Sequence, residues 1–136
     1  MAKPPSREQP IPIGGHYFAA KADLQDELAR LRLLEAECDP HTYRVLDAVG
    51  VSAGWRCLEV GAGAGAVARW LGKRVGPTGH VVAADIDPKY LGDMREPNIE
   101  VRQCDITLDQ IEPAYYDLIH SRFVLMHLDD PADALR

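Results

Sequence analysis

The chain has 136 residues, 46% of them hydrophobic and 26% charged, with a formal charge of −6. That size suits one domain with a real core, and the acidic balance argues against non-specific attachment to nucleic acid or an anionic membrane, which both need clustered Lys and Arg. Cys38, Cys57 and Cys104 are too few and too widely spaced for a disulfide framework or a zinc-type pair, and no signal-peptide h-region or run of about 18 apolar residues is present, so reduced thiols in a cytoplasmic protein are expected.

Residues 1–15 carry four prolines and two glycines, which suits a flexible arm. Residues 16–54 read as N-terminal helices and a possible lid. From Tyr17 to Glu37 the leucines Leu24, Leu28, Leu31 and Leu34 recur at helical spacing. Asp39-Pro40 then reads as an N-cap followed by a first-turn proline, which predicts a separate short helix through Val45, Leu46 and Val49, ended by Gly50.

Residues 55–136 alternate strand and helix signals. Trp55 to Val60 is a first strand, and the Gly/Ala run after it opens a helix with Val67, Trp70, Leu71 and Val75 on one face. Gly76-Pro77-Thr78-Gly79 turns the chain into a second strand, His80 to Asp85, apolar enough for a sheet covered on both faces. Asp87-Pro88 caps a short helix near Tyr90 and Leu91. Asn98 to Arg102 supplies a third strand and Tyr116 to Ser121 a fourth; Phe123 to Leu128 reads as a short helix or turn, and Asp130-Pro131 opens a last helix. Such alternation predicts a parallel α/β sheet with right-handed crossovers.

The chemistry concentrates at the strand ends. Gly61, Gly63 and Gly65 follow the first strand directly, where missing side chains allow positive φ and a close approach of backbone to a ligand. Alone, Gly61-Ala62-Gly63-Ala64-Gly65-Ala66 also matches a dinucleotide fingerprint with Ala in its last place. Glu59, a charge at the end of a buried strand, is out of place unless it serves a site. Asp85 ends the second strand, where a carboxylate can accept from both hydroxyls of a ribose.

Together these segments resemble the class I S-adenosylmethionine-dependent methyltransferases. Leu58 to Gly65 is similar to that family's acidic-then-GxGxG motif, and Val82 to Pro88 to the end of its second strand. Val101 to Ile106 resembles its adenine-contacting segment, and Tyr116 to Arg122 its fourth strand, with His127 to Pro131 continuing as in its small-molecule members.

The resemblance implies S-adenosylmethionine as cofactor and a Rossmann-like, doubly wound sheet that stops after the fourth strand in the order 3-2-1-4. It implies that Glu59, Gly61, Gly63 and Gly65 hold the methionine portion, Asp85 the ribose, and Ile86, Asp105 and Ile106 the adenine. Ser121 would lie near the methionine end or transfer pocket, and Tyr17 in an N-terminal lid.

His127 and His120 are the candidate catalytic bases, imidazole being the side chain most often used in general acid–base chemistry. No metal is expected. The acceptor would be a small molecule, since the proline-tyrosine and Pro-Cys motifs of base-modifying relatives are absent. Two other readings are a non-catalytic cofactor-binding or assembly domain and an NAD-dependent oxidoreductase; the latter leaves Glu59, Asp105 and the His120-Ser121 segment unexplained. An uncovered fourth strand bearing Leu118 and Ile119 would invite pairing, which implies a homo-oligomer or a missing C-terminal portion over that edge.

Overall fold

A computed structural model describes residues 24–136. The expected arm over 1–15 and Tyr17 lie outside the described residues. In chain order the elements are α1 (Leu24–Val49), β1 (Arg56–Val60), α2 (Ala66–Val75), β2 (His80–Asp85), β3 (Ile99–Gln103), β4 (Leu118–Ser121) and α3 (Pro131–Ala134). Short 3-10 turns occupy Pro88–Leu91 and Leu125–His127.

All strand pairs are parallel, in the spatial order β3-β2-β1-β4. Successive strands step outward from β1 to β3, and the chain then returns to the other side of β1. The resulting Rossmann-like sheet therefore has its topological switch point between β1 and β4, where a crevice opens beyond the carboxyl ends of the strands.

The register sorts side chains by period two. Cys57, Val81 and Ala83 join Val67, Ala68, Leu71 and Val75 of α2 in one cluster, with Leu118 of β4 packed against it. Leu58, Val60, Val82 and Ala84 point the other way and meet Cys104, Ile106, Ile111, Tyr116 and Val124. Asn98 ties α2 to the start of β3 by donating from Nδ2 to the carbonyls of Gly72 (2.8 Å) and Gly76 (2.9 Å), which also accept from the backbone N–H groups of Gly76 and Gly79.

One expected boundary fails. Asp39-Pro40 does not begin a new helix; α1 continues through it to Val49, with Pro40 inside. An internal proline removes a backbone donor and ordinarily costs about 3 kcal/mol or more. Here the helix is bolted down on either side of it. Tyr43 stacks on Trp70 at 5.2 Å, Leu46 is buried in the core, and Asp39, instead of capping, accepts from Tyr43 Oη (3.1 Å) and Arg122 Nη2 (2.8 Å). Tertiary anchorage outweighs the local stop signal.

The local end signals elsewhere hold. Gly50 closes α1 at φ +87°, its N–H donating to Leu46 O (3.2 Å), and Asp87 and Asp130 accept from Lys89 and Asp133 N–H groups at the two other Asp-Pro starts. β4 runs from Leu118, later than the Tyr116 expected; just before it, Asp117 N donates to Arg56 O (2.8 Å) while the Asp117 carboxylate accepts from Arg56 N (2.8 Å). The three cysteines are unpaired, and burial pushes the Cys57 thiol up to about 11. Among the described residues no helix is long and apolar enough to cross a membrane.

Candidate functional site

Beyond the carboxyl end of β1 the chain passes through Gly61, Gly63 and Gly65, all at positive φ (73°, 58° and 93°). Space reinforces conformation at the first and third. A Cβ on Gly61 would lie 2.3 Å from Val124 Cγ2, and one on Gly65 would lie 2.6 Å from Met94 Cε. The Gly61 and Ala62 N–H groups both donate to Ala84 O, at 2.8 and 3.0 Å, and hold the loop against the end of β2. Arg69 braces its far side through Ala64 O (3.1 Å) while pairing with Asp93 and Glu96.

Asp85 completes this joint. One carboxylate oxygen accepts from Gly63 N (2.9 Å) and the other from Asp87 N (3.0 Å). Burial raises its pKa, and the backbone donors oppose that rise. A carboxylate has about four lone-pair directions, so these two bonds leave capacity for further donors.

Glu59 sits deeper, 3% exposed, on the face of β1 covered by α2. Its register partner on β4 is His120, whose Nδ1 lies 2.6 Å from Glu59 Oε2. Burial drives the Glu59 pKa up, countered by the His120 hydrogen bond and by the charge of Arg122. When Glu59 is ionised Nδ1 must be the donor, since carboxylate oxygens only accept, and the ring's Nε2 is then left as an acceptor.

Helix α1 closes the crevice from above. Leu31, Leu34 and Glu35 face the glycine loop, and Glu35 Oε1 accepts from Ala66 N (3.2 Å) at the start of α2. Burial raises the Glu35 pKa. The cavity between α1 and Glu59, Gly61, Ala62, Gly63 and Arg122 measures about 60 Å³. A second hollow of about 400 Å³, running along α1 towards Lys89 and Tyr90, shares Glu35 and Ala64 with it.

The structure brings Glu59, Gly61, Gly63, Asp85 and His120 into this one neighbourhood, with Gly65 shaping the loop beneath. Ile86, 44% exposed, and Asp105 lie farther out, past the ends of β2 and β3. The Asp105 carboxylate is engaged locally, by Thr107 N (2.9 Å) and Thr107 Oγ1 (2.6 Å).

Three expected residues are not brought to the crevice. Ser121 pairs with Val60 and lines a groove on the opposite face of the sheet, because period-two alternation sends it away from His120. Ile106 packs with the Leu58 cluster on that same face. His127 is exposed in a 3-10 turn and does not line the cavity.

Two residues absent from the sequence reading belong to the site. Arg122 donates from Nη1 to Thr42 Oγ1 (2.9 Å) and from Nη2 to Asp39 Oδ1 (2.8 Å), and it lines the cavity. Glu35 was hidden in an unremarkable helical stretch. A charged residue directly after a site-facing strand was an available signal for Arg122; no local pattern marks Glu35.

Residues 58–136 match the model of a family described as a methyltransferase domain. The chain is 31% identical over 130 residues to an uncharacterised protein of transposon TN4556 from Streptomyces fradiae, covering 90% of this chain and 37% of that protein. It is likewise 31% identical over 130 residues to a ubiquinone/menaquinone biosynthesis C-methyltransferase of Pseudomonas fluorescens, covering 89% of this chain and 49% of the relative. A crystal structure of a SAM-dependent methyltransferase from Aquifex aeolicus superposes with a TM-score of 0.65 at 26% identity, over 85% of this chain and 64% of that one. The chain thus spans about half the length, or less, of these two sequence relatives.

Proposed function

This chain belongs to the class I S-adenosylmethionine-dependent methyltransferase family, and from that premise we propose that the working protein transfers a methyl group from S-adenosylmethionine to a small-molecule acceptor. The relative named for ubiquinone/menaquinone biosynthesis supports a small organic acceptor. The observation that carries the reading is the joint at the switch point, where Asp85 accepts from Gly63 N across the glycine loop with Glu59 buried beside it.

The residues present fit the cofactor. Val124 and Met94 pack where a Cβ on Gly61 or Gly65 would sit and so hold the loop backbone at the crevice, Asp85 retains acceptor capacity for ribose hydroxyls, and Glu59 offers buried negative charge to a cationic amino-acid end. When bound, S-adenosylmethionine supplies an electrophilic methyl on a sulfonium for in-line displacement by an acceptor atom.

Residues 55–136 form the cofactor-binding portion in this reading, and α1 acts as a lid. Leu31, Leu34 and Glu35 lie over the glycine loop, and the cavity there shares the walls Glu35 and Ala64 with the hollow of about 400 Å³ along α1, a size within the roughly 300–1,000 Å³ usual for ligand pockets. Held over the bound cofactor, α1 excludes water, which strengthens every charge interaction within. Glu59 holds Nδ1 of His120, so that Nε2 can take a proton from the acceptor. Ile86 and Asp105 flank the adenine position.

The β4 edge, where Ile119 is 59% exposed beside a groove of about 520 Å³, is covered in the working protein by a second copy or by further polypeptide.

Calorimetry with S-adenosylhomocysteine and NAD in parallel tests the main reading. Binding of the first and not the second is expected, with Asp85→Ala weakening it by about tenfold or more, the equivalent of about 1.4 kcal/mol. Binding of NAD alone would overturn the reading, and unchanged affinity in Asp85→Ala would remove that residue from the site.

A further inference from the structure

Among the described residues lining the cavity beneath α1, Arg122 is the one cation, set opposite two acids, Glu35 and Glu59. Its place there is built. Phe123, the next residue, adopts φ +61°, a left-handed conformation that bulky side chains rarely take, so the chain turns sharply as it leaves β4. Strain of this kind persists where surrounding contacts over-determine it, and such positions concentrate at ligand sites.

The guanidinium is also aimed. Asp39 and Thr42 of α1 take one N–H each from Nη2 and Nη1, and the side chain remains 20% exposed. A guanidinium has five N–H donors in a fixed fork, so three remain after these two bonds. Burial beside both Glu59 and Glu35 gives the cavity a mixed character: two carboxylates and one planar fork within a few side chains of the Cβ-free loop.

That arrangement is the charge inverse of an α-amino acid, whose ammonium seeks carboxylates and whose carboxylate seeks a fork of N–H groups. We propose that Arg122 binds the carboxylate of the cofactor's amino-acid end, with Asp39 and Thr42 holding its guanidinium in position and Glu59 receiving the neighbouring ammonium. The assignment rests on the S-adenosylmethionine reading of the site. It also gives the α1 contacts a second purpose, since the helix that covers the crevice orients the group that reads the ligand.

The test pairs two ligands that share the adenosine and thioether, S-adenosylhomocysteine and 5′-methylthioadenosine, which lacks the amino acid. Titration of wild-type protein and Arg122→Gln by calorimetry should show S-adenosylhomocysteine weakened at least tenfold in the variant and 5′-methylthioadenosine changed by less than twofold. Arg122→Lys, which keeps the charge and loses the fork, should fall between. An equal loss for both ligands would mean that Arg122 only fastens α1, and no loss for either would remove it from the site; each outcome overturns the proposal.

A second measurement leaves the protein unaltered and therefore does not depend on the variant folding. The descarboxy analogue of S-adenosylhomocysteine should bind wild-type protein at least tenfold more weakly than the parent, and equal binding would overturn the assignment. If wild-type protein binds none of these adenosyl ligands, the reading of the site falls and this inference with it. If it binds S-adenosylhomocysteine as Arg122→Gln does, only Arg122 is displaced.

Discussion

The two faces of the sheet are made by the same four strands and behave differently. On the face under α1 and α2, Cys57, Val81 and Ala83 are inaccessible, and the polar groups set among them are tied in pairs, Glu59 to His120 and Arg122 to Asp39. On the other face, Leu58 and Val82 are buried by loop residues, while Ile119 stands 59% exposed along a groove of about 520 Å³. Two complete helices allow one face to exclude water, and exclusion of water is what makes polar partners obligatory there. On the more open face, Arg102 of the edge strand β3 pairs with Glu100 and Glu112, and all three side chains are 29–44% exposed.

The contrast breaks most visibly in the core beneath α2. Leu71→Ala should cost about 2–5 kcal/mol, the usual range for truncating a fully buried leucine, because Leu71 is wholly inaccessible in the covered cluster. Urea unfolding would measure it, and a loss under 1 kcal/mol would mean that this face is far looser than described.

A subtler effect follows from the carboxyl of Glu59. Burial raises its pKa above the ordinary 4.5. A carboxyl raised on folding contributes stability that is fully present below that ordinary value and lost as pH climbs through the raised one. Glu59→Gln cannot ionise and keeps an acceptor for His120. The melting temperature of the variant relative to wild type should therefore increase from pH 5 towards pH 8. A gap that is flat or narrows with pH would show that Glu59 ionises at no cost in the folded protein.

The smallest change is expected on the open face. Ile119→Ser should alter the stability of the isolated chain by no more than about 0.5 kcal/mol, as for most exposed positions. A larger loss, or a fall in mass by light scattering on substitution, would mean that the groove is covered by a second copy in solution.

Much of the core fold was legible because its signals are local. The 3-10 turn after Asp87 and the last helix after Asp130 start where an aspartate precedes a proline, and both carboxylates cap as such a pair predicts. Glu59 and Asp85 were conspicuous as charges ending apolar strands, and both were found buried beside the glycine loop. The same Asp-Pro logic misled at Asp39-Pro40, where the capping side chain was drawn off by Arg122, 83 residues away. Ser121 ends the segment that resembles the family's fourth strand, yet the β1–β4 register puts His120 and Ser121 on opposite faces.

By itself, the sequence determined the positions of the strands, the glycine loop at positive φ, the carboxylates at the strand ends and the turns that separate them, since each depends on backbone preference and hydrophobic period over a few residues. Tertiary structure alone decided that α1 runs unbroken through Pro40, that Glu35 reaches Ala66 N, that Arg122 enters the crevice and that Ser121 leaves it. Those outcomes depend on which surfaces meet once the strands are registered. Burial then converts a distant charge into a required partner, and no window of neighbouring residues contains that information.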